Sequence, residues 1–458
     1  MSSTALPVPF PLRTWVAGGL LALLAFGACW TGAIVYWRTR AGDPDTMELM
    51  LCLFLLPGSL LAAALFARNR LSAPPQAATT TPAASDLVAP QRTATRQPAP
   101  LAILATAVRS PHGASVEEIA AALAGRKARP ALDAELVDDD GFPVMTARCP
   151  EANDPALHAD IATWLAADDA AIAFTEEQRR ALVLATAVTA ELAGALPPPD
   201  ASTATIQLVP VLAKDWGASQ RDAAARWLRD KVAQSGWPAA RIAVIAPVDA
   251  DLFHTVPAML AATPAPVIAM VIASASHIGD DPVQAWAAHG ALYTASHPAG
   301  KIPGEGAVGL LLTDIATATA ADGALYAILE PLHTGRRNAS ADDHRGPPQP
   351  MLAGLAASAL AAAQVAPDAL TMLAADTGPA TSRMLEVLGY ASAATPQLDT
   401  EDIVTWGHAS GVCGAVPALT ALALARLYAC ERNAPVLWLA HDDPFQCCAA
   451  VLHMPART

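Results

Sequence analysis

Among the 458 residues there are only four lysines, and the 28 cationic side chains are outnumbered by 42 acidic ones, for a formal net charge of -14. Nothing in such a chain would displace the counterions around nucleic-acid phosphates, so nucleic-acid partners are excluded. Charged residues of either sign make up only 15% of the sequence. The seven cysteines are odd in number, scattered, and never spaced as C-x-x-C. That rules out a disulfide framework and fits a reducing compartment. The eleven histidines do not join them at zinc-ligand spacing, so no metal site is expected. Cofactors are likewise not expected.

Apolar residues are abundant instead, at 53% of the chain. Two runs contain no charge: Trp15–Trp37, "WVAGGLLALLAFGACWTGAIVYW", and Leu49–Ala67, "LMLCLFLLPGSLLAAALFA". At 1.5 Å rise per residue each spans a hydrocarbon core of about 30 Å. Tryptophan and tyrosine mark the ends of the first, where amphipathic rings settle. Residues 15–67 are therefore expected to form a transmembrane hairpin after a short tail, residues 1–14. Arg13, Arg68 and Arg70 lie on one side and Arg38 and Arg40 in the link. Counting cations places both termini, and the rest of the chain, on the cytoplasmic side of a bacterial-type inner membrane. Residues 68–100 are rich in Pro, Ala and Thr and read as a flexible tether.

From residue 101 onward, short apolar runs alternate with alanine-rich helical patterns. "LAILATAV" (Leu101–Val108), "ATIQLVPVL" (Ala204–Leu212), "RIAVIAPV" (Arg241–Val248) and "PVIAMVIAS" (Pro266–Ser274) read as strands buried on both faces. "SVEEIAAALAG" (Ser115–Gly125), "EEQRRALVLATAVTAELAGAL" (Glu176–Leu196) and "SQRDAAARWLRDKVAQSG" (Ser219–Gly236) read as helices, the first with Ser115 and Glu118 placed for a capping box. The fold class is α/β with largely parallel sheets.

"GEGAVG" (Gly304–Gly309) matches the glycine fingerprint of dinucleotide-binding proteins. That fingerprint needs a strand before it and a helix after it, so that a pyrophosphate meets a helix N-terminus. Here a loop precedes and a strand pattern follows. The glycines are expected to let the loop turn into a buried strand, with Glu305 as a buried carboxylate accepting backbone hydrogen bonds.

A Pro-Gly-Glu-Gly-Ala loop running into a strand resembles the β-ketoacyl synthases, condensing enzymes of the thiolase superfamily. Other stretches follow in that family's order. "ILATAVRSPHGASVEEIAAALAGRKA" (Ile103–Ala128) is similar to its first strand, loop and helix, and "DDDGFPVMTA" (Asp138–Ala147) to the next segment. "VIAMVIASAS" (Val267–Ser276) resembles its strand ending in paired glycines. "AADTGPATSRMLEVL" (Ala374–Leu388) resembles its histidine-glycine-threonine motif, with Glu386 at the place of a downstream glutamate. "GHASGVCGAVPALTALALA" (Gly407–Ala425) resembles its glycine-histidine turn and buried helix.

The resemblance implies a five-layered α-β-α-β-α duplicated fold, with halves at 101–325 and 326–458, and a homodimer. Its pairing strand is expected around Ala265–Ser274. It also implies positions for the family's chemistry, which uses an activated cysteine, two histidines and a lysine. The cysteine's place falls on Val248, with Pro247 and Asp249 beside it. The first histidine's place falls on Ala375 and the lysine's on Ile403. Only His408, at the second histidine's place, is retained. Gly304, Glu305, Gly306, Glu386, Gly407 and His408 are the family-motif positions preserved, and they are structural. The glycine-rich closing loop is replaced by "AHDDPFQCC" (Ala440–Cys448).

With the reactive groups lost, no catalytic residue and no condensing activity are expected. The chain reads as a membrane-anchored, dimeric, non-catalytic scaffold or accessory subunit of a membrane assembly, such as a cell-envelope or secretion machine. One alternative is a partner of an active ketosynthase, docking acidic carrier protein through a patch with Arg336 and Arg337. Another is an acyl-group sensor holding an acyl chain in the old pocket. A third is new chemistry, with Asp249, Asp251 and His254 approaching Asp376 and His408. "HDD" at His441–Asp443 is expected to be a solvated loop rather than a metal site, and Cys447 and Cys448 to be packing thiols. His408 is expected to cap the buried helix.

Overall fold

A computed structural model describes residues 99–455 except 168–171, 214, 246–251, 263–265, 299, 321–324 and 344–350. The apolar runs within 15–67 and the tether up to residue 98 lie outside the described residues. Among the described residues no helix is long and apolar enough to cross a membrane.

The first run of elements is β1 (Leu101–Arg109), α1 (Val116–Ala124), β2 (Ala131–Val137), β3 (Pro143–Thr146), α2 (Pro155–Ala167), α3 (Glu176–Gly194), β4 (Thr205–Val211), α4 (Ala218–Gln234), β5 (Ile242–Val244), α5 (Leu252–Ala262), β6 (Val267–Ser276), α6 (Asp280–Ala288), β7 (Glu305–Asp314) and α7 (Ile315–Ala320). The second is β8 (Ala327–Leu329), β9 (His333–Arg336), α8 (Met351–Ala362), β10 (Met372–Ala375), α9 (Thr381–Ala394), β11 (Ile403–Thr405), α10 (Gly407–Ser410), α11 (Val416–Arg432), β12 (Val436–Ala440) and β13 (Gln446–His453).

One sheet runs β11-β10-β12-β13-β8-β1-β7-β6-β4-β5, with β9 also on β13. β4, β5 and β6 are parallel, as are β10, β11 and β12. β7 and β13 join antiparallel. Read inward from either end, the order is the same: β5-β4-β6-β7-β1 in the first run, β11-β10-β12-β13-β8 in the second. A two-stranded hairpin, β2 and β3, stands apart.

Three apolar cores explain the layering. α3 and α4 close the outer face of the first strand set, and α8 and α9 that of the second. α5 and α11 fill the space between. α11 touches β10, β12 and β13 on one side and β1, β6 and β7 on the other. It must therefore be apolar all round, and it is: Leu419, Ala421, Leu422, Ala423, Leu424 and Ala425 are all buried. Pro417 is tolerated in its first turn, and Asn433 ends it in the left-handed conformation. A bulge in β1 between Ile103 and Ala105 interrupts the ladder. Arg426 of α11 donates to the Ile103 and Leu104 carbonyls there, at 3.1 and 2.8 Å.

The sequence reading of a pairing strand at Ala265–Ser274 needs correction. β6 is flanked by β4 through Thr205↔Val267 to Val211↔Ala273 and by β7 through Ala269↔Leu312 to Ser276↔Glu305. Both its edges are occupied, so it has none to offer another chain. The ends of the large sheet are β5 and β11.

Candidate functional site

The preserved motif positions gather where β10, β11 and β12 end. Ala375 is the last residue of β10 and pairs with Thr405 of β11 and Leu439 of β12. It is fully buried, and its carbonyl accepts from Trp406 N at 2.9 Å. The first imidazole's place is thus a methyl group in the core. Ile403 opens β11 opposite Leu373 and packs on the outer core with α8 and α9. Val248, Asp249 and Asp251 lie outside the described residues, and of His254 only the backbone, in α5, is described.

His408 sits in α10, where its backbone N–H donates to Thr377 O at 2.9 Å. Its imidazole Nδ1 lies 3.4 Å from Thr405 Oγ1, so it does not cap the buried helix α11. Burial, with a smaller contribution from neighbouring His112, lowers its pKa. His112 Nε2 donates to Ala409 O at 3.0 Å, and its ring meets Trp406 edge-on at 5.9 Å. Burial lowers this imidazole too, against the hydrogen bond to the carbonyl. Both rings are therefore uncharged at neutral pH.

The glycines of the motif bring backbones together. A Cβ on Gly304 would lie 2.1 Å from Ser410 O, and one on Gly407 2.0 Å from Asp376 O. None of Gly304, Gly306 and Gly309 has a positive φ, so the need is closeness rather than a turn. Pro303 bridges Val412 in this contact. Glu305 and Gly306 already belong to β7, a ten-residue strand with no helix at the motif's end. The phosphate-binding arrangement is absent at this motif.

Glu305 is a fully buried carboxylate, as its sequence context suggests, but its main partner is a side chain. Arg180 of α3 donates Nη2 to Oε1 at 2.6 Å and Nε to Oε2 at 2.8 Å. Cys149 N donates to Oε1 at 2.9 Å and Ser276 Oγ to Oε2 at 2.8 Å. Each oxygen has two donors, which leaves the group no lone pair to offer a substrate.

A second buried chain was not foreseen. Thr377 Oγ1 lies 2.9 Å from His441 Nε2, and His441 Nδ1 lies 3.2 Å from Glu386 Oε2. Arg337 Nη2 donates to both Glu386 oxygens, at 2.6 and 2.7 Å. Burial alone would raise the Glu386 carboxyl, but the hydrogen bond from His441 and the charge of Arg337 outweigh it and lower the pKa. The order hydroxyl, imidazole, carboxylate is that of an activated nucleophile. Thr377 and His441 are each 0% exposed, however, so nothing in solution reaches the hydroxyl.

The solvated-loop reading of His441–Asp443 is thus wrong at His441. The reason is Asp376, whose Oδ1 accepts from His441 N at 2.7 Å and Asp442 N at 3.1 Å and draws the chain inward as it leaves β12. Burial pushes the Asp376 carboxyl up to about 6. Arg337, sought as a surface cation, is 2% exposed. Cys447 and Cys448 are buried and free. Among the described residues no His, Cys, Asp or Glu cluster has metal-holding geometry.

Two spaces border these elements. A cleft of about 260 Å³ opens at the base of the β2–β3 hairpin, beside His112, Arg129 and Arg148. Its floor is the Asp133 carboxylate, clamped by Arg148 at 2.8 and 3.0 Å and by Thr146 Oγ1 at 2.8 Å. Burial would raise that carboxyl, but the Arg148 hydrogen bonds and the other donors hold it at about 2. The other space lies in the middle layer, among Phe253, Val256, Val271, Leu310, Leu419 and Leu422, and measures only about 20 Å³.

No protein-family model matches the sequence, and no curated protein matches it. Solved structures do. The ketosynthase from module 6 of the bacillaene synthase of Bacillus subtilis 168 is 12% identical with a TM-score of 0.55, over 78% of this chain and 72% of that one. A type II polyketide-synthase ketosynthase in complex with its acyl-carrier protein is 13% identical with a TM-score of 0.56, over 78% of this chain and 100% of that one. An oxazolomycin ketosynthase domain from Streptomyces albus JA3453 is 13% identical with a TM-score of 0.53, over 78% and 76%. Identities this low speak to fold alone. The described part of this chain therefore has the ketosynthase fold, a mixed α/β fold of the thiolase type built on one large sheet.

Proposed function

We propose that the chain is a catalytically inactive ketosynthase-like protein. In this reading it is anchored to a membrane through residues 15–67 and serves as a scaffold or accessory subunit of a membrane-associated assembly. The observation that carries the reading is the middle layer. Among the described residues beside α5, the space lined by Phe253, Val256, Val271, Leu310, Leu419 and Leu422 is about 20 Å³. That is room for about one water molecule and not for an acyl chain. Ala375 and Ile403 supply no proton-transfer group; Glu305 has two donors on each oxygen, and Glu386 is paired with Arg337 and His441.

The same observation weighs against an acyl-group sensor. A non-catalytic partner of an active ketosynthase remains the second reading; of the two cations that docking an acidic carrier would use, Arg336 is exposed but Arg337 is buried. The test is direct. Purified full chain incubated with a malonyl thioester is expected to release carbon dioxide no faster than buffer alone, and to carry no acyl chain by mass spectrometry. Release at an enzymatic rate overturns the proposal. For the anchor, a cysteine introduced at Pro82 is expected to resist labelling from the periplasm.

A further inference from the structure

The β2–β3 hairpin is covered on one side only. Leu136 and Val144 are buried and pack with Ile278, Val283 and Leu292. On the side away from Val144, Leu132 stands opposite Met145 and Val137 opposite Pro143. Leu132 and Val137 are 67% and 48% exposed, and Phe142 at the turn is 66% exposed. Of the seven large apolar side chains exposed among the described residues, these three share one hairpin, which makes them a patch rather than scattered singles. The turn that carries Phe142 is closed from within. Asp138 N donates to Phe142 O at 2.9 Å, and Asp138 Oδ1 accepts from Asp140 N at 3.1 Å and Phe142 N at 2.8 Å. The inner contacts and this turn hold the hairpin without help from the outer side chains. Asp139 and Asp140 flank the ring, both exposed, and pair with no described cation.

We propose that this outer face docks a different protein, one that receives Phe142, Val137 and Leu132 in an apolar groove and meets Asp139 and Asp140 with lysine or arginine at the groove's rim. Charge decides between occupants. A second copy would set the same aspartates against each other, and an anionic bilayer surface would repel them. The cations of this region are placed elsewhere. Arg148 is taken by Asp133 and Glu135, and Lys301 lies over Trp286 beside the inner cluster. Arg129 precedes the far end of β2, about 20 Å from the turn at the rise of a strand, beyond the roughly 10 Å over which salt screens charge. The face is small, so the contact is transient and Phe142 is its anchor. The inference depends on neither the inactivity nor the membrane anchor proposed above.

The test places photoreactive benzoylphenylalanine at position 142 of the full-length chain in its native cell and identifies the cross-linked segment by mass spectrometry. A segment of a different protein is expected, apolar with lysine or arginine beside it. A synthetic peptide of that segment is expected to bind the purified full-length chain by fluorescence anisotropy, more weakly as salt rises. Phe142→Ser, and separately Asp139→Lys with Asp140→Lys, are each expected to weaken binding at least tenfold with an unchanged melting temperature. Leu325→Ser, at a position 63% exposed outside the hairpin, is expected to leave it unchanged. Binding that survives both hairpin variants overturns the proposal. So does an acidic segment, a cross-link only to lipid or to a second copy, or no cross-link at all.

Discussion

Arg180→Met tests the physical core of the site. The substitution keeps an apolar stem of similar length in α3 and removes the guanidinium. Glu305 then retains Cys149 N and Ser276 Oγ but loses two charge-assisted bonds, at 2.6 and 2.8 Å, in a position with no exposure. Breaking a buried pair from one side costs about 3–5 kcal/mol, because the remaining charge is left uncompensated. That is a large share of the roughly 5–15 kcal/mol that holds a domain together. With a urea slope of about 3–4 kcal/mol per molar for a body this size, the unfolding midpoint is expected to fall by about 1 M. Equilibrium urea unfolding, followed by tryptophan fluorescence, reads it. Glu305→Gln alone leaves the buried Arg180 charge without an anion, with only the amide oxygen and Asn153 Oδ1 to accept from it, and is expected to cost a similar amount. The double variant removes both charges, so its cost is expected to fall short of the sum by at least about 2 kcal/mol. A loss under about 1 kcal/mol for Arg180→Met, with additive behaviour in the double variant, would refute the idea that this pair locks β7 to α3.

Gly304→Ala forces a Cβ to within 2.1 Å of the Ser410 carbonyl and is expected to destabilise by about 1–3 kcal/mol, whereas Gly194→Ala, with open space around it, is expected to be neutral or stabilising by up to about 1 kcal/mol; paired thermal melts compare them. Asp133 has a depressed carboxyl, so its clamp contributes stability above the unfolded carboxylate value near pH 4 and loses it as pH falls through about 2; Arg148, 23% exposed, lets water screen the pair, which limits the contribution to about 1–2 kcal/mol, and Asp133→Asn is expected to flatten stability against pH in that acid window. His441→Phe leaves the Thr377 hydroxyl and one Glu386 bond unmet and is expected to cost about 2–3 kcal/mol in urea unfolding, with His441→Gln recovering part of it.

The parts of the fold visible in the sequence are those whose burial is uniform. Continuous apolar runs marked β1, β4 and β6 to within a residue or two, because strands covered on both faces need no polar alternation. α3 and α4 were legible as long helical patterns; in the structure Thr175 caps the first with Gln178 in a reciprocal box, while the second starts at Gly217 with no side-chain cap. At α1 the pattern was half right. Ser115 Oγ accepts from Glu118 N, but Glu118 reaches Ala114 N rather than the cap residue's own N–H. The β2–β3 hairpin was not legible. Its burial does not alternate, since Asp133 accepts from Glu135 N and Leu136 N and bulges the strand. The site's partners were hidden for a different reason. Arg180 lies 125 positions from Glu305, and Arg337 lies 49 from Glu386, so no local pattern points from one to the other. His441 looked like a loop residue beside two aspartates, and only the buried Asp376 carboxylate, brought alongside by β10 and β12, turns it inward.

These misses share one cause, and it bears on function. A site that does chemistry holds polar groups with capacity to spare, aimed at a space where a substrate sits. The two motif carboxylates and the Thr377 hydroxyl spend that capacity on internal partners. Glu305 has four donors, Glu386 has Arg337 and His441, and Thr377 has His441. Unsatisfied or strained groups held ready for a reaction lower stability, and a fold released from that demand gains by pairing them internally. Under the proposed inactive reading, a carbon–carbon bond-forming site on this scaffold would need more than histidine at Ala375 and lysine at Ile403. Ala375 is fully buried among its neighbours, and Ile403 packs in the outer core, away from the middle layer. Ala375→His combined with Ile403→Lys is therefore expected to destabilise the chain, by overpacking at one position and by a desolvated charge at the other, without yielding decarboxylation.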